Sequence, residues 1–298
     1  MEGDSKSWDL QDENSFATPQ NAWGVFDDEY AEEYGAYNAL SFKIIGTSAG
    51  DVSCHPHVLS PPLMESLQNF LPTGIAENNF WLKYSLVRDG ASLTSLLRQV
   101  RGAQHTIIAV ETVDGEVFGC FACSRWRKAW NYYGNSEAFL WRMRRTRAAK
   151  DAQRSIIDQA KLESELDIFF WTGKNDLVQL CTHDMLAVGG GAVFSYEDER
   201  RCNLPDEEHD ISLPQCDGVS TQVDVGGFGL AIDAELLYGT SSPCATFSSP
   251  ALSREHPDGS PFEIVNLEVW TTTPCMNEQD AEQLEMKKLF LEPYSCTS

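Results

Sequence analysis

The chain of 298 residues carries 45 Asp and Glu against 22 Lys and Arg, a formal net charge of −23, which argues against a nucleic-acid role because phosphate backbones are held by clustered cations on a positive face. Its length allows one large domain or two average ones with a sizeable core. No run of about 18 apolar residues is available to span a bilayer, and nine cysteines without a dense framework read as reduced thiols of a cytoplasmic protein.

Residues 1–40 form an acidic tail in which ten Asp and Glu face Lys6 alone, with Trp8, Phe16, Trp23, Phe26, Tyr30, Tyr34 and Tyr37 scattered through it. That balance opposes the charge of a targeting peptide and predicts a peripheral or disordered segment. Next, 46–50 match the G-x-S-x-G pattern, but Ser48 is followed by residues without helical periodicity, so the strand, turn and helix of a nucleophile elbow are missing. Ser60 with Pro61 opens a short helix bearing Leu63, Leu67, Phe70 and Leu71 on one face, and Pro72 closes it.

The stretch 80–102 is the organising one. Phe80, Leu82, Tyr84 and Leu86 alternate with Trp81, Lys83, Ser85 and Val87 as in a strand. Asp89 and Gly90 are expected to end it, Ser92 to cap a helix carrying Leu93, Leu96, Leu97 and Val100, and Gly102 to supply the left-handed stop. A hairpin follows, 106–110 and 117–121 around Asp114-Gly115. Further strands are predicted at 137–143, 167–171, 177–181, 185–188, 228–233 and 262–270. Many short strands and few helices predict a mostly β fold, a two-sheet antiparallel β-sandwich with flanking helices.

Two charged insertions interrupt the pattern. Residues 143–166 lack alternation and are rich in helix formers. From Arg125 to Arg154 a basic stripe of Arg125, Arg127, Lys128, Arg142, Arg144, Arg145, Arg147, Lys150 and Arg154 faces only Glu137 and Asp151, and within it Arg142, Arg144, Arg145, Arg147 and Lys150 are a candidate partner surface on an acidic protein. Residues 196–223 read as an acidic loop that could fold back on the stripe.

Catalytic and metal signatures are weak. Cys120 and Cys123 form one C-x-x-C inside an alternating strand, where residues three apart face opposite sides, and no second pair completes a zinc set. His55 and His57, His183-Asp184 and Glu255-His256 do not form a spaced ligand motif. The glycine clusters at 189–191 and 226–229 lack the residues of a phosphate loop and point to tight sheet geometry. Glu137 and Glu268 lie inside apolar strands and are expected to be buried carboxylates with partners.

Ordered short motifs then accumulate: W-L-x-Y-S-x-x-R-D-G-x-S-L at 81–93, G-x-V-F-G-x-F at 115–121, Trp126, Tyr133-Gly134, Glu137-x-Phe139-Leu140, and Trp171-Thr172-Gly173-x-Asn175. The triplet at 189–191, Gly227-Phe228-Gly229-Leu230, Gly239-x-Ser241-x-x-Cys244-x-Thr246-Phe247 and Leu267-Glu268-Val269-Trp270 complete the set. Together they resemble the TLDc domain of the oxidation-resistance proteins, over 59–273, with 274–298 as a C-terminal extension. The resemblance gives Asp89, Gly90, Ser92, Trp126, Gly134, Glu137, Gly173, Gly190, Gly229 and Glu268 a structural role as motif residues. It implies a two-sheet sandwich and a non-enzymatic regulatory or adaptor domain in oxidative-stress resistance, without cofactor or metal. Its expected partner is a protein, the soluble sector of a vacuolar-type proton-pumping ATPase. A thiol acting directly on peroxide is the alternative. The chain departs from the family pattern where 196–223 separates the triplet from Phe228-Gly229-Leu230, and where Gly134-Asn135-Ser136-Glu137 replaces Gly-Thr-Gly-Glu.

Overall fold

A computed structural model describes residues 40–48, 56–147, 156–191 and 227–291; the acidic tail before residue 40, the whole 196–223 insertion, Ser48's downstream neighbours up to His55, and Lys150 lie outside them. In chain order the elements are β1 (Ile44–Ile45), α1 (Pro61–Gln68), β2 (Asn79–Ser85), α2 (Leu86–Asp89), α3 (Leu93–Gln99), β3 (Thr106–Thr112), β4 (Val117–Ala122) and β5 (Phe139–Met143). Then come α4 (Ile156–Ser164), β6 (Leu166–Phe170), β7 (Gln179–Cys181), β8 (Met185–Val188), β9 (Leu230–Asp233), β10 (Tyr238–Thr240), β11 (Phe262–Thr273) and α5 (Glu278–Leu291).

The long strand β11 joins everything. Its residues from Ile264 to Trp270 pair antiparallel with β3, those from Glu268 to Thr273 pair with β2, and its first two pair with β10. One ladder therefore runs β6-β5-β4-β3-β11-β10-β9-β8-β7. Residues of β3, β4 and β5 share one buried cluster with residues of β7, β8 and β9: Ile108, Phe118, Cys120 and Leu140 meet Cys181, Leu186, Val188 and Ile232. The ladder is thus a mostly antiparallel open sheet folded into two facing layers, the expected sandwich, with β11 common to both. The outer face of the β3–β5 layer buries Ile107, Ala109, Phe121, Phe139, Trp141 and Trp270 beneath Leu63, Met64 and Leu67 of α1 and Leu162 of α4. A strand covered on both faces loses its polar alternation, which is why β4 is buried at all six positions.

Several local expectations shift. The strand β2 stops at Ser85 and its next four residues wind into α2, because the Asp89 carboxylate accepts the Ser85 N–H at 2.9 Å and closes a turn. Gly90 follows with φ of 83°, a region that side chains disfavour. Ser92 does cap α3, its Oγ accepting the Ser95 N–H. Gly102 does not take a left-handed conformation; a Cβ there would lie 2.5 Å from the Glu285 carboxylate of α5, so close approach accounts for it. Among the described residues of the helical excursion 143–166, α4 spans Ile156–Ser164. Glu137 is not in β5 but in the exposed turn before it. The short β1 and β10, and the helix α5, had no sequence signal.

The triplet and Phe228 are reunited in space. β8 pairs antiparallel with β9, and a Cβ on Gly227 would lie 2.7 Å from the Gly191 carbonyl oxygen. Gly191 and Gly227, on either side of 192–226, are therefore adjacent in space.

Candidate functional site

Arg142, Arg144, Arg145 and Arg147 of the candidate partner surface have acidic partners within the molecule. Arg142, on β5, donates from Nε to Asp167 at 3.2 Å and from Nη1 to the Ala251 carbonyl at 2.9 Å. Arg144 Nε reaches the same carboxylate at 2.9 Å and Arg254 Nη2 lies 3.6 Å from it. Partial burial works the other way, yet the hydrogen bonds from Arg144 and Arg142 hold the Asp167 carboxyl below its ordinary range. Arg145 lies 3.8 Å from Glu165. These arginines sit on β5 and the loop after it rather than on a helix face, and acidic partners for them come from β6 and from Glu165 just before it; Arg144 and Arg145 stay exposed. Lys150 lies outside the described residues.

Arg147 belongs to a buried charged cluster. Its Nη2 donates to Glu163 at 3.1 Å and to the Val58 carbonyl at 2.8 Å, while Nη1 is 3.6 Å from Glu111. Ser60 holds the N-cap position of α1 but gives its hydroxyl to Glu163 instead of capping the helix. Burial raises the Glu111 pKa, opposed by Arg147 and reinforced by Glu268 and Glu163. Glu268 itself is fully buried. It meets His57 Nδ1 at 2.8 Å and accepts the Leu59 N–H at 3.1 Å and the Trp270 indole N–H at 2.9 Å. The cluster ties the segment before α1 to β11, β3 and α4. Glu268's acceptor oxygens are already engaged, which suits anchoring rather than proton transfer to an outside group. Of the two carboxylates expected inside strands, then, Glu268 is buried and partnered whereas Glu137 is exposed. The role of His57 had no signal beyond a histidine beside a proline; only the fold brings it 211 positions along the chain to Glu268.

A second polar knot looks superficially catalytic. Ser253 Oγ donates to Glu116 Oε2 at 2.5 Å and lies 3.2 Å from His256 Nδ1, while the Arg254 N–H donates to Glu116 Oε1 at 2.7 Å. The order is wrong for a relay, since the serine and not the histidine contacts the acid, and Ser253 is 1% exposed.

The cysteines fall on opposite faces, as the strand period requires. Cys120 joins the core between the layers and Cys123 the core under α1. Of the five described cysteines, all free, only Cys275 is not buried. Burial pushes Cys120 up to about 12 and Cys181 up to about 11; burial, followed by the nearby Glu137, raises Cys123 as well. A peroxide-reactive thiolate needs the reverse, a lowered pKa and access. Among the described residues no group of three or more His, Cys, Asp or Glu could hold a metal ion, and no helix is long and apolar enough to cross a membrane.

The remaining motif residues build the scaffold. Trp126 is buried and its indole N–H donates to Thr106 Oγ1 at 2.9 Å. Gly134 and Gly173 take positive φ. A side chain at Gly190 would strike Leu177 and the Tyr132 hydroxyl, and one at Gly229 would strike Leu140 across the two layers.

Set beside known proteins, residues 53–273 match the TLDc domain family. The chain belongs to the TLDc domain family. It is 29% identical over 222 residues to Oxidation resistance protein 1 of Kluyveromyces lactis, covering 72% of this chain and 74% of that protein. The Saccharomyces cerevisiae Oxidation resistance protein 1 is 26% identical over 233 residues, 72% of each chain. Nuclear receptor coactivator 7 of Homo sapiens is 24% identical over 217 residues, which are 72% of this chain but 17% of that longer protein. The motif residues of this TLDc domain are thereby placed: most set turns, close contacts and buried hydrogen bonds, and Glu137 alone among the carboxylates stays at the surface.

Proposed function

We propose that this TLDc protein acts in resistance to oxidative damage as a regulatory binding domain rather than as an enzyme, and that its partner is the soluble sector of a vacuolar-type proton-pumping ATPase. The family match carries the reading, with relatives named for oxidation resistance aligned along most of their length. The chemistry of the described residues agrees: Glu268, Glu163 and Ser253 are buried and spent on internal partners. Such a protein exerts its effect through its surface, in the cytoplasm where that sector is exposed.

Two measurements test the two halves. Cells lacking the protein should lose survival under peroxide, and re-expression should restore it; equal survival removes the oxidative role. The purified full-length chain, immobilised at low salt, should retain the purified soluble ATPase sector; if none is retained, the partner assignment falls while the oxidative role stands.

A further inference from the structure

Two cations of the basic run, Arg127 and Lys128, lie on the loop between β4 and β5. The loop 124–133 between β4 and β5 is laid along the free edge of β7: the Ala129 N–H donates to the Cys181 carbonyl at 2.8 Å, and Tyr133 and Gln179 exchange backbone hydrogen bonds of 2.9 and 2.8 Å. Gln179 Nε2 also donates to the Ser124 carbonyl at 3.1 Å, and the Tyr133 hydroxyl to the Arg127 carbonyl at 3.0 Å. Edge strands are commonly covered in this way. The loop is therefore held at both ends and in its middle. Yet it presents Trp130 with 82% of its surface exposed, on a backbone whose neighbours Trp126 and Ala129 are fixed. A rigidly displayed, solvent-exposed indole is the kind of group that protein interfaces use as an anchor.

Its surroundings are cationic. Trp130, Lys128, Ala129, Thr182 and His183 line an open pocket of 160 Å³. The Trp130 and His183 rings lie 6.0 Å apart, and the Lys128 ammonium donates to His183 Nδ1 at 3.2 Å. Arg127 spreads its guanidinium 4.3 Å over the Tyr133 ring. Neither Arg127 nor Lys128 forms an ion pair among the described residues. Arg142, Arg144, Arg145, Arg147 and Lys83 are each ion-paired to a carboxylate; what distinguishes Arg127 and Lys128 is that they flank an exposed indole, on a chain of net charge −23.

We propose that the pocket formed by Trp130, Lys128 and His183, flanked by Arg127, is a docking site for a short acidic peptide segment of a partner protein, with an aromatic side chain of that segment stacked on Trp130 and its carboxylates on Lys128 and Arg127. An exposed indole beside cations also suits single-stranded nucleic acid. The charge arithmetic favours the peptide: tight polyphosphate binding draws on roughly six to ten cation contacts, whereas two or three carboxylates match two cations and a histidine. The proposal goes beyond the ATPase reading, because its test involves no ATPase component and either can fail alone.

The test titrates the full-length chain into a fluorescently labelled synthetic peptide, Glu-Asp-Glu-Tyr-Glu-Asp-Glu, by fluorescence anisotropy. Parallel arms use its Gln/Asn counterpart and a poly-dT oligonucleotide. Saturable binding of the acidic peptide is expected, weaker by about tenfold or more in Trp130→Ala and in Lys128→Glu, and weaker again when salt rises from about 50 to about 200 mM. Trp130 is exposed, so the variants should keep the parent's circular dichroism and thermal midpoint. Unchanged affinity in both variants, no saturable binding, equal binding of the neutral peptide, or tighter binding of the oligonucleotide would each overturn the proposal.

Discussion

Glu268 shows how one residue couples distant parts of this chain. Its carboxylate serves His57, the Leu59 backbone and the Trp270 indole while remaining wholly buried. Removing an acceptor of that kind strands several donors in a low-dielectric site, and hydrogen bonds to charged groups are worth about 1.5–3 kcal/mol each. Glu268→Ala should therefore lower stability by about 3–5 kcal/mol, read as a fall in the urea midpoint; Glu268→Gln, which keeps one acceptor, should lose less. Equal midpoints for wild type and both variants would show that the cluster does not anchor the segment before α1.

The thiols make a pH prediction. Cys120 and Cys181 have folded-state pKa values of about 12 and about 11, above the ordinary 9.0. A raised folded pKa means the native state keeps its proton longer than the unfolded chain does. Their contribution to stability is complete below about pH 9 and is lost as pH climbs through the folded values. Thermal midpoints should accordingly fall above pH 9, less so in Cys120→Ala, corrected for the cavity at neutral pH. Under native conditions at pH 8, peptide mapping after alkylation should find Cys275 modified before Cys120 and Cys181.

At the level of elements, the paired ends of residues 192–226 matter most. With β8 hydrogen-bonded to β9 and Gly191 against Gly227, the ladder is closed by the strands themselves. Loop-closure entropy grows as the logarithm of length. Replacing 192–226 by a turn of about four residues should raise stability by about 2 kcal/mol on that count, from about 35 residues closed to about four. Thermal unfolding checks it; a lowered midpoint would mean that the excursion contributes packing of its own. The helix α5 illustrates a different dependence. Lys83 reaches Glu285 at 2.9 Å while lying 3.5 Å over the Trp81 ring, and the Trp81 indole N–H donates to Glu278 at 3.3 Å. Those contacts explain why Gly102 has no side chain, a reason that lies 183 residues further along the chain.

Across the whole molecule, the negative charge is unevenly answered. Carboxylates of β6, α4, β3 and the link between α4 and β6 gather the arginines of 142–147, while Lys128 lines the pocket beside β7. The strand period, the Asp114-Gly115 turn and the ordered motifs were enough to read a mostly β sandwich, the separation of Cys120 from Cys123 and the family, because side-chain alternation and turn chemistry act over a few residues. The partners of those residues were not legible. That His57 meets Glu268, that Arg142 and Arg144 share Asp167, and that Trp130 stays in water while Trp126 is buried follow from how the ladder folds about β11. The pairing of charges is a property of distance in space, and sequence separation carries little of it. The sequence by itself determined most of the strands and the family to which they belong; the tertiary structure decided which charged groups pair internally, because such pairing depends on burial and proximity that only the packed layers create.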